Sequence, residues 1–277
     1  MPELPEVETV RLGLSKIVYN SKIEDVDVLR SDLRWKIKKS LKHDLENDYF
    51  KQPLRRGKYI LIPTIKDNIF LIHLGMSGQI KIRDNFESIF KHDHVRVTIK
   101  SEKDKRYFIT YNDPRRFGYI DLFHKKEINE HFLLKKLGVE PFEKNFNVCY
   151  LQTMFDKKMK CIKNALMDQS VIAGIGNIYA SEILFKAKVS PYRSAKTLNN
   201  EEIKSIIGAT IEILKKSINV GGTTLQNHLQ PSGKLGYFFQ NLEVYGKKNK
   251  TCNKCKSLIA VSIISNRSTF YCNNCQI

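Results

Sequence analysis

Two stretches of this chain have residue types and spacings that can do chemistry. The first is Cys252-x2-Cys255, followed after sixteen residues by Cys272-x2-Cys275. Each pair places two thiolates on one tight turn. Two such turns at the ends of a short hairpin can close a tetrahedral four-sulfur site of the kind zinc occupies. Residues 258–264 are strand-prone, Ser265-Asn266-Arg267-Ser268 reads as a turn, and Thr269-Phe270-Tyr271 returns, so Arg267 is expected at the hairpin tip. Four cysteines leave no open coordination position, so one zinc ion per chain is expected in a structural role. Two disulfides are the alternative use of the same residues, although nothing else in the sequence suggests secretion. Cys149 and Cys161 fall outside the pattern and read as free thiols.

The second stretch is the N-terminus, Met1-Pro2-Glu3. Proline after the initiator is small enough to permit removal of Met1, which exposes a secondary α-amine. An α-amine titrates near pH 8, against about 10.4 for lysine, so far more of it is neutral and nucleophilic at pH 7. Its adduct with a sugar aldehyde is an iminium that stays cationic without a proton. Such an electron sink favours elimination of a phosphate beta to the carbon it holds. Glu3, directly beside the amine, is placed to act as a general acid. Taken alone, the same residues also suit an ordinary helix start.

These groups need elements to position them. At 277 residues and 42% hydrophobic, the chain is long enough for two domains plus the cysteine ribbon. Residues 3–18 read as a helix, with Val7, Val10, Leu14, Ile17 and Val18 at helical spacing and Glu3, Glu6 and Glu8 in the first turns. Strand patterns follow at 22–29, 58–62, 69–74, 79–82, 94–100, 106–111 and 118–123, which predicts a β-sandwich. From 150 to 219 the pattern is helical, interrupted by Gly174-Ile175-Gly176-Asn177. The fold class is therefore α+β: a helix plus β-sandwich over 1–140, a helical domain over 141–240 and the ribbon over 241–277. No apolar run approaches membrane-spanning length, and the first residues lack the features of a signal peptide, so a reduced, cytoplasmic setting is expected. The net charge of +18 suits a polyanionic partner, part of it attributable to a Lys-, Asn- and Ile-rich composition.

Six motifs, in order, carry a resemblance. They are Met1-Pro2-Glu3-Leu4-Pro5-Glu6-Val7-Glu8-Thr9-Val10, Arg56-Gly57-Lys58-Tyr59 with His73-Leu74-Gly75-Met76-Ser77-Gly78, Asp113-Pro114-Arg115-Arg116-Phe117-Gly118, Gly174-Ile175-Gly176-Asn177-Ile178-Tyr179-Ala180-Ser181-Glu182, Gly221-Gly222-Thr223-Thr224-Leu225, and Arg267-Ser268-Thr269-Phe270-Tyr271-Cys272. Together they resemble the formamidopyrimidine-DNA glycosylases (the Fpg, or MutM, family). Leu4 favours this branch over the related endonuclease VIII branch, in which glycine is usual.

The resemblance implies a bifunctional DNA repair enzyme acting on damaged double-stranded DNA, removing oxidised purines such as 8-oxoguanine and formamidopyrimidines. By that likeness Pro2 attacks C1′ of the damaged nucleotide, Glu3 is the proton donor, and β- and δ-elimination cut the strand. Lys58 and Arg267 complete the implied catalytic group, as contacts to the phosphates. Glu6 matches an acid of the pocket, with structural support of the helix start an equal reading. A base in a duplex must be flipped out to be reached. Met76, Arg115 and Phe117 match the residues that fill the resulting gap. His73, Asn177 and Tyr245 match further backbone contacts. The Gly-x-Gly-Asn segment matches a helix–two-turn–helix motif, and DNA is expected to run between the two domains of a monomeric, nucleoid-associated enzyme.

Departures from the family pattern are Gln226, where a basic residue is common, and Lys256 and Asn266, where glycine is common. Three other functions compete. One is the same fold acting on oxidised pyrimidines. Another is a non-catalytic zinc-ribbon DNA-binding protein, which would be indifferent to substitution of Pro2 or Glu3. The third is a degenerate member that binds lesions without cutting, against which the intact Pro2, Glu3 and Lys58 argue.

Overall fold

The computed structural model describes residues 2–86, 88–156, 160–222 and 238–277. They form two compact units, residues 2–135 with 221–222, and Lys136–Val220 with Phe238–Ile277. Met1, Thr223, Thr224, Leu225 and Gln226 lie outside the described residues.

In the first unit, α1 (Leu4–Val18) buries Leu4, Val7, Val10, Leu14 and Val18 along one stripe. Its start is fixed by the Glu6 carboxylate, which accepts the Glu3 backbone N–H at 2.8 Å. Pro5 sits in the first turn, where no intrahelical N–H is lost. Then follow β1 (Lys22–Val28), a five-residue α2 (Leu41–Leu45), β2 (Leu54–Arg56), β3 (Tyr59–Pro63), β4 (Asn68–His73), β5 (Gln79–Arg83), β6 (Asp93–Lys100), β7 (Arg106–Asn112) and β8 (Tyr119–His124). They make two four-stranded antiparallel sheets, ordered β1-β6-β7-β5 and β2-β3-β4-β8. Val95, Val97, Ile99 and Ile109 of one sheet and Ile60, Ile62, Phe70 and Ile72 of the other share a single core with α1. This is the expected sandwich. The sequence patterns missed β2 and α2, both too short to show a period.

In the second unit, α3 (Val148–Asp156), α4 (Ile162–Met167), α5 (Asn177–Lys186) and α6 (Asn200–Asn219) precede the ribbon strands β9 (Ala260–Ile264) and β10 (Arg267–Tyr271). A reciprocal cap starts α6: the Asn199 side chain accepts the Glu202 N–H and the Glu202 carboxylate accepts that of Asn199, both at 2.9 Å. The ribbon shares a small core with α5, built from Phe185, Val244, Cys252, Ile259 and Cys272. Its turn is tighter than the sequence suggested. Ser265 and Asn266, at φ of 48° and 59°, are the whole loop, and Arg267 already pairs with Ile264 as the first residue of β10. Two successive positive φ values match the right-handed twist of a hairpin.

Candidate functional site

In the first unit, Pro2, Glu3 and Glu6 are all buried, Glu3 at 2% exposed. Gly222 lies against Glu6. At its φ of +80° a Cβ would stand 3.2 Å from Glu6 Oε1, so the chain passes there without a side chain. Glu6 thus has the structural role at the helix start that the sequence left open, and it also lines this approach. The helix is tied to the neighbouring hairpin by charge. Glu8 takes hydrogen bonds from Arg11, at 2.6 Å, and from Arg55 of β2, at 3.0 Å. That hairpin turns at Gly57, at φ +56°, and presents Lys58.

Cross-strand register brings His73 to this hairpin. Tyr59 of β3 pairs with His73 of β4, and their rings stack at 4.8 Å. Burial, and then the nearby Lys58 charge, lower the His73 pKa to about 4 against the opposing pull of Asp113. His73 is therefore neutral at pH 7. Its folded pKa lies below the ordinary 6.5, so the native state resists protonation. Stability from this group is complete above pH 6.5 and is lost as pH falls toward 4. Urea unfolding at pH 7 and pH 4 is expected to differ by about 2–3 kcal/mol more in the parent than in a His73→Gln variant.

Asp113 organises the two turns that carry Met76, Arg115 and Phe117. Its carboxylate accepts from the Ser77 hydroxyl and from the Gly118 N–H at 2.8 Å, and Ser77 Oγ in turn accepts the Arg115 N–H at 3.1 Å. Gly75, at φ +59°, abuts the Phe117 backbone so closely that a Cβ would sit 2.4 Å from its carbonyl carbon. Arg116 is turned away and bonded to Asp32 at 2.7 Å. Arg115 remains exposed, its guanidinium 5.2 Å from the centre of the Phe117 ring. Met76 and Phe117 are each 41% exposed despite their size. The three side chains are thus held outward by a fully bonded base. Ser77 and Asp113 stood inside motifs read from the sequence, but their mutual bond was not legible there.

In the second unit, Gln169 braces the turn before α5. Its side chain accepts the Gly174 N–H at 2.9 Å and donates to the Ile175 carbonyl at 2.7 Å. Asn177, the first residue of α5, donates to the Ser268 carbonyl at 2.9 Å, and its Oδ1 has no hydrogen-bond partner among the described residues. Arg267, next to Ser268, is exposed. Tyr245 packs edge-on against Phe270 at 5.0 Å. Its N–H and those of Glu243 and Val244 converge on the Glu182 carboxylate at 2.8–2.9 Å. Burial pushes the Glu182 carboxyl pKa up, and these three donors oppose the shift.

In the sequence alone, Lys163 can be a solvated helix-face charge and takes no assigned role; its place in α4 corrects this. It is fully buried and donates to Thr269 Oγ1 at 2.6 Å and the Ser268 carbonyl at 3.1 Å. The signal was its place beside Ile162, Ala165 and Leu166, which are all buried in α4. Lys163→Met keeps the volume but removes these charge-assisted bonds. It is expected to cost about 2–3 kcal/mol in calorimetry.

The four cysteine sulfurs lie within 4.8 Å of one another, with Cys255–Cys272 at 3.4 Å and Cys252–Cys275 at 3.9 Å. A tetrahedron with metal–sulfur bonds of roughly 2.3 Å has edges of about 3.8 Å. The donor set fits a structural metal site. Lys256 and Asn266, the two residues standing where glycine is common, both adopt the left-handed conformation, at φ of 66° and 59°. The Lys256 N–H still closes the first cysteine turn onto the Cys252 carbonyl at 3.0 Å.

Comparisons with known proteins agree over the whole chain. Residues 1–120 match the formamidopyrimidine-DNA glycosylase N-terminal domain, and residues 137–228 match the formamidopyrimidine-DNA glycosylase H2TH domain. The formamidopyrimidine-DNA glycosylase of Ruthia magnifica is 44% identical over 276 residues, and that of Zymomonas mobilis 42% over 277, with all of each chain covered. Among solved structures, wild-type Lactococcus lactis Fpg (MutM) with an oxidised-pyrimidine-containing DNA superposes with a TM-score of 0.89 at 32% identity, covering 99% of both chains. A mutant of that protein with a Fapy-dG-containing DNA gives 0.91 at 31% identity, again over 99% of both chains. The chain belongs to the formamidopyrimidine-DNA glycosylase family.

Proposed function

We propose that this protein removes oxidised purines, 8-oxoguanine and formamidopyrimidines, from double-stranded DNA and then cuts the strand. The observation that carries this reading is the burial of Pro2, Glu3 and Glu6 together at the start of α1, in a chain of this family. Once Met1 is removed, the Pro2 nitrogen attacks C1′ and the C1′–N bond to the base breaks, with Glu3 as proton donor. The sugar ring opens and leaves C1′ joined to Pro2 as an iminium. Loss of a proton from C2′ lets the C3′–O bond break, loss of one from C4′ lets the C5′–O bond break, and water then hydrolyses the iminium, releasing the sugar fragment and freeing Pro2. Both phosphates leave as such, and no external oxidant or reductant is needed.

Lys58 and His73 of the first unit, and Asn177, Tyr245 and Arg267 of the second, contact the backbone in this reading. Met76, Arg115 and Phe117 occupy the gap left by the flipped nucleotide. An exposed aromatic ring can wedge between base steps, and Arg115 can bond the edge of the unpaired partner. The metal is zinc, held by Cys252, Cys255, Cys272 and Cys275. It secures the turn beside Arg267 and takes no part in the chemistry.

Because His73 is neutral at pH 7, it offers a hydrogen bond without a charge. Lys58→Met is therefore expected to reduce the slope of log Kd against log salt by about one, whereas His73→Gln leaves the slope unchanged. Binding titrations between low and moderate salt check this.

Substrate class is tested by comparing single-turnover cleavage of duplexes holding 8-oxoguanine opposite cytosine, a formamidopyrimidine or dihydrouracil. Faster cleavage of the purine lesions is expected. A preference for dihydrouracil would favour the oxidised-pyrimidine reading, to which the Lactococcus lactis complex with an oxidised-pyrimidine-containing DNA gives some weight.

A further inference from the structure

The outer face of the sheet β1-β6-β7-β5 carries a feature that the repair chemistry does not use. Side chains alternate along β6 and β7, so Val95, Val97 and Ile109 enter the core while Arg96, Phe108 and Thr110 face outward. Register places Lys81, Thr110 and Arg96 in one cross-strand row. The loop after β5 bears three large apolar side chains within five residues. Phe86 is 70% exposed, Ile89 57% and Phe90 51%.

Arg96 is only 4% exposed. Its contacts are a long hydrogen bond to Thr110 Oγ1, at 3.4 Å, and the Phe86 ring, 4.9 Å from the guanidinium carbon. No carboxylate lies within ion-pair distance of it among the described residues. Asp93, in the same narrow cleft, is committed elsewhere: its oxygens accept from the Phe90 N–H and the Asn112 side chain, both at 2.8 Å. Lys81 lies 5.1 Å from the Phe90 ring centre. A guanidinium withdrawn from water without an anion is costly. Three large apolar side chains exposed on one short loop beside it are the mark of an interaction surface.

We propose that this face docks a peptide segment of a partner protein in which acidic residues alternate with large apolar ones. A carboxylate displaces the Phe86 ring from Arg96 and pairs with the guanidinium, and the apolar side chains settle on Ile89 and Phe90. The loop ring moves at small cost, because a cation–π contact is weaker than a desolvated bidentate ion pair. The narrow cleft favours a slender carboxylate side chain over a phosphodiester. Each phenyl ring already has a cation on one face, which disfavours a stacking platform for bases.

The test uses the full chain and a short fluorescein-labelled peptide alternating Asp with Leu and Phe, read by anisotropy. Saturable binding is expected, weakened roughly tenfold or more by Arg96→Gln, which removes the charge-assisted pair. The exposed-loop variant Phe90→Ser is expected to weaken it comparably while nicking a lesion duplex at the parental rate. Equal affinity for a peptide alternating Asp with Ser would overturn the proposal, as would unchanged binding in both variants. So would displacement by single-stranded oligothymidylate that itself depends on Phe90, since that assigns the face to nucleic acid.

Discussion

Glu3→Gln is expected to slow release of the damaged base by roughly 10²–10⁴-fold, the usual contribution of one positioned general acid. Glu3 is buried, as are Pro2 and Glu6, so water is a poor substitute donor there. A carboxamide keeps the shape and removes the transferable proton. Strand cleavage at a preformed abasic site has no base to protonate and is expected to retain most of its rate. The contrast separates proton donation from simple disruption of the helix start, which would damage both steps. A preparation that retains Met1 holds the Pro2 nitrogen as an amide and is expected to lose both steps entirely, because an amide nitrogen does not form an iminium. Single-turnover assays on 8-oxoguanine and abasic duplexes, with intact mass to report Met1, check all three results. Parental base release by Glu3→Gln would remove that residue from the chemistry.

Cys272→Ser is expected to have the largest structural effect. Cys272 and Cys252 are fully buried and form the core shared with Phe185 of α5 and Val244, so removing the metal removes the centre of that core. Apparent binding energies of structural zinc sites are about 10–16 kcal/mol, more than the ribbon can recover from its few apolar contacts. β10 then loses its anchor, and with it go Arg267 and the Ser268 carbonyl that receives both Lys163 and Asn177. Metal content, thermal unfolding and lesion-duplex affinity should fall together, as they should on treating the parent with a strong chelator. Affinity retained without metal would contradict the account of the ribbon.

Much of this was legible in the sequence because it rested on local rules. The cysteine spacing fixed the four-sulfur cluster, and the 3.6-residue stripe of α1 and the alternation in β6 and β7 gave the layers. What stayed hidden depends on contacts between distant segments. Lys163 reads as a solvated charge until β10 folds over it. Asp113 and Ser77 sit in separate motifs, and only the closed sandwich bonds them. The hairpin tip was set one step wrong because positive φ at both Ser265 and Asn266 lets two residues turn where four seemed needed. Arg96 gives no signal in the sequence at all, since an alternating strand with an outward arginine is ordinary. Only its burial with no carboxylate at ion-pair distance among the described residues sets it apart.

The most direct measurement of the central claim is borohydride trapping on a duplex with one 8-oxoguanine opposite cytosine, followed by mapping of the cross-linked peptide. A covalent adduct on Pro2 is expected. Absence of an adduct in a preparation shown by intact mass to lack Met1, or an adduct on a lysine such as Lys58, would contradict it.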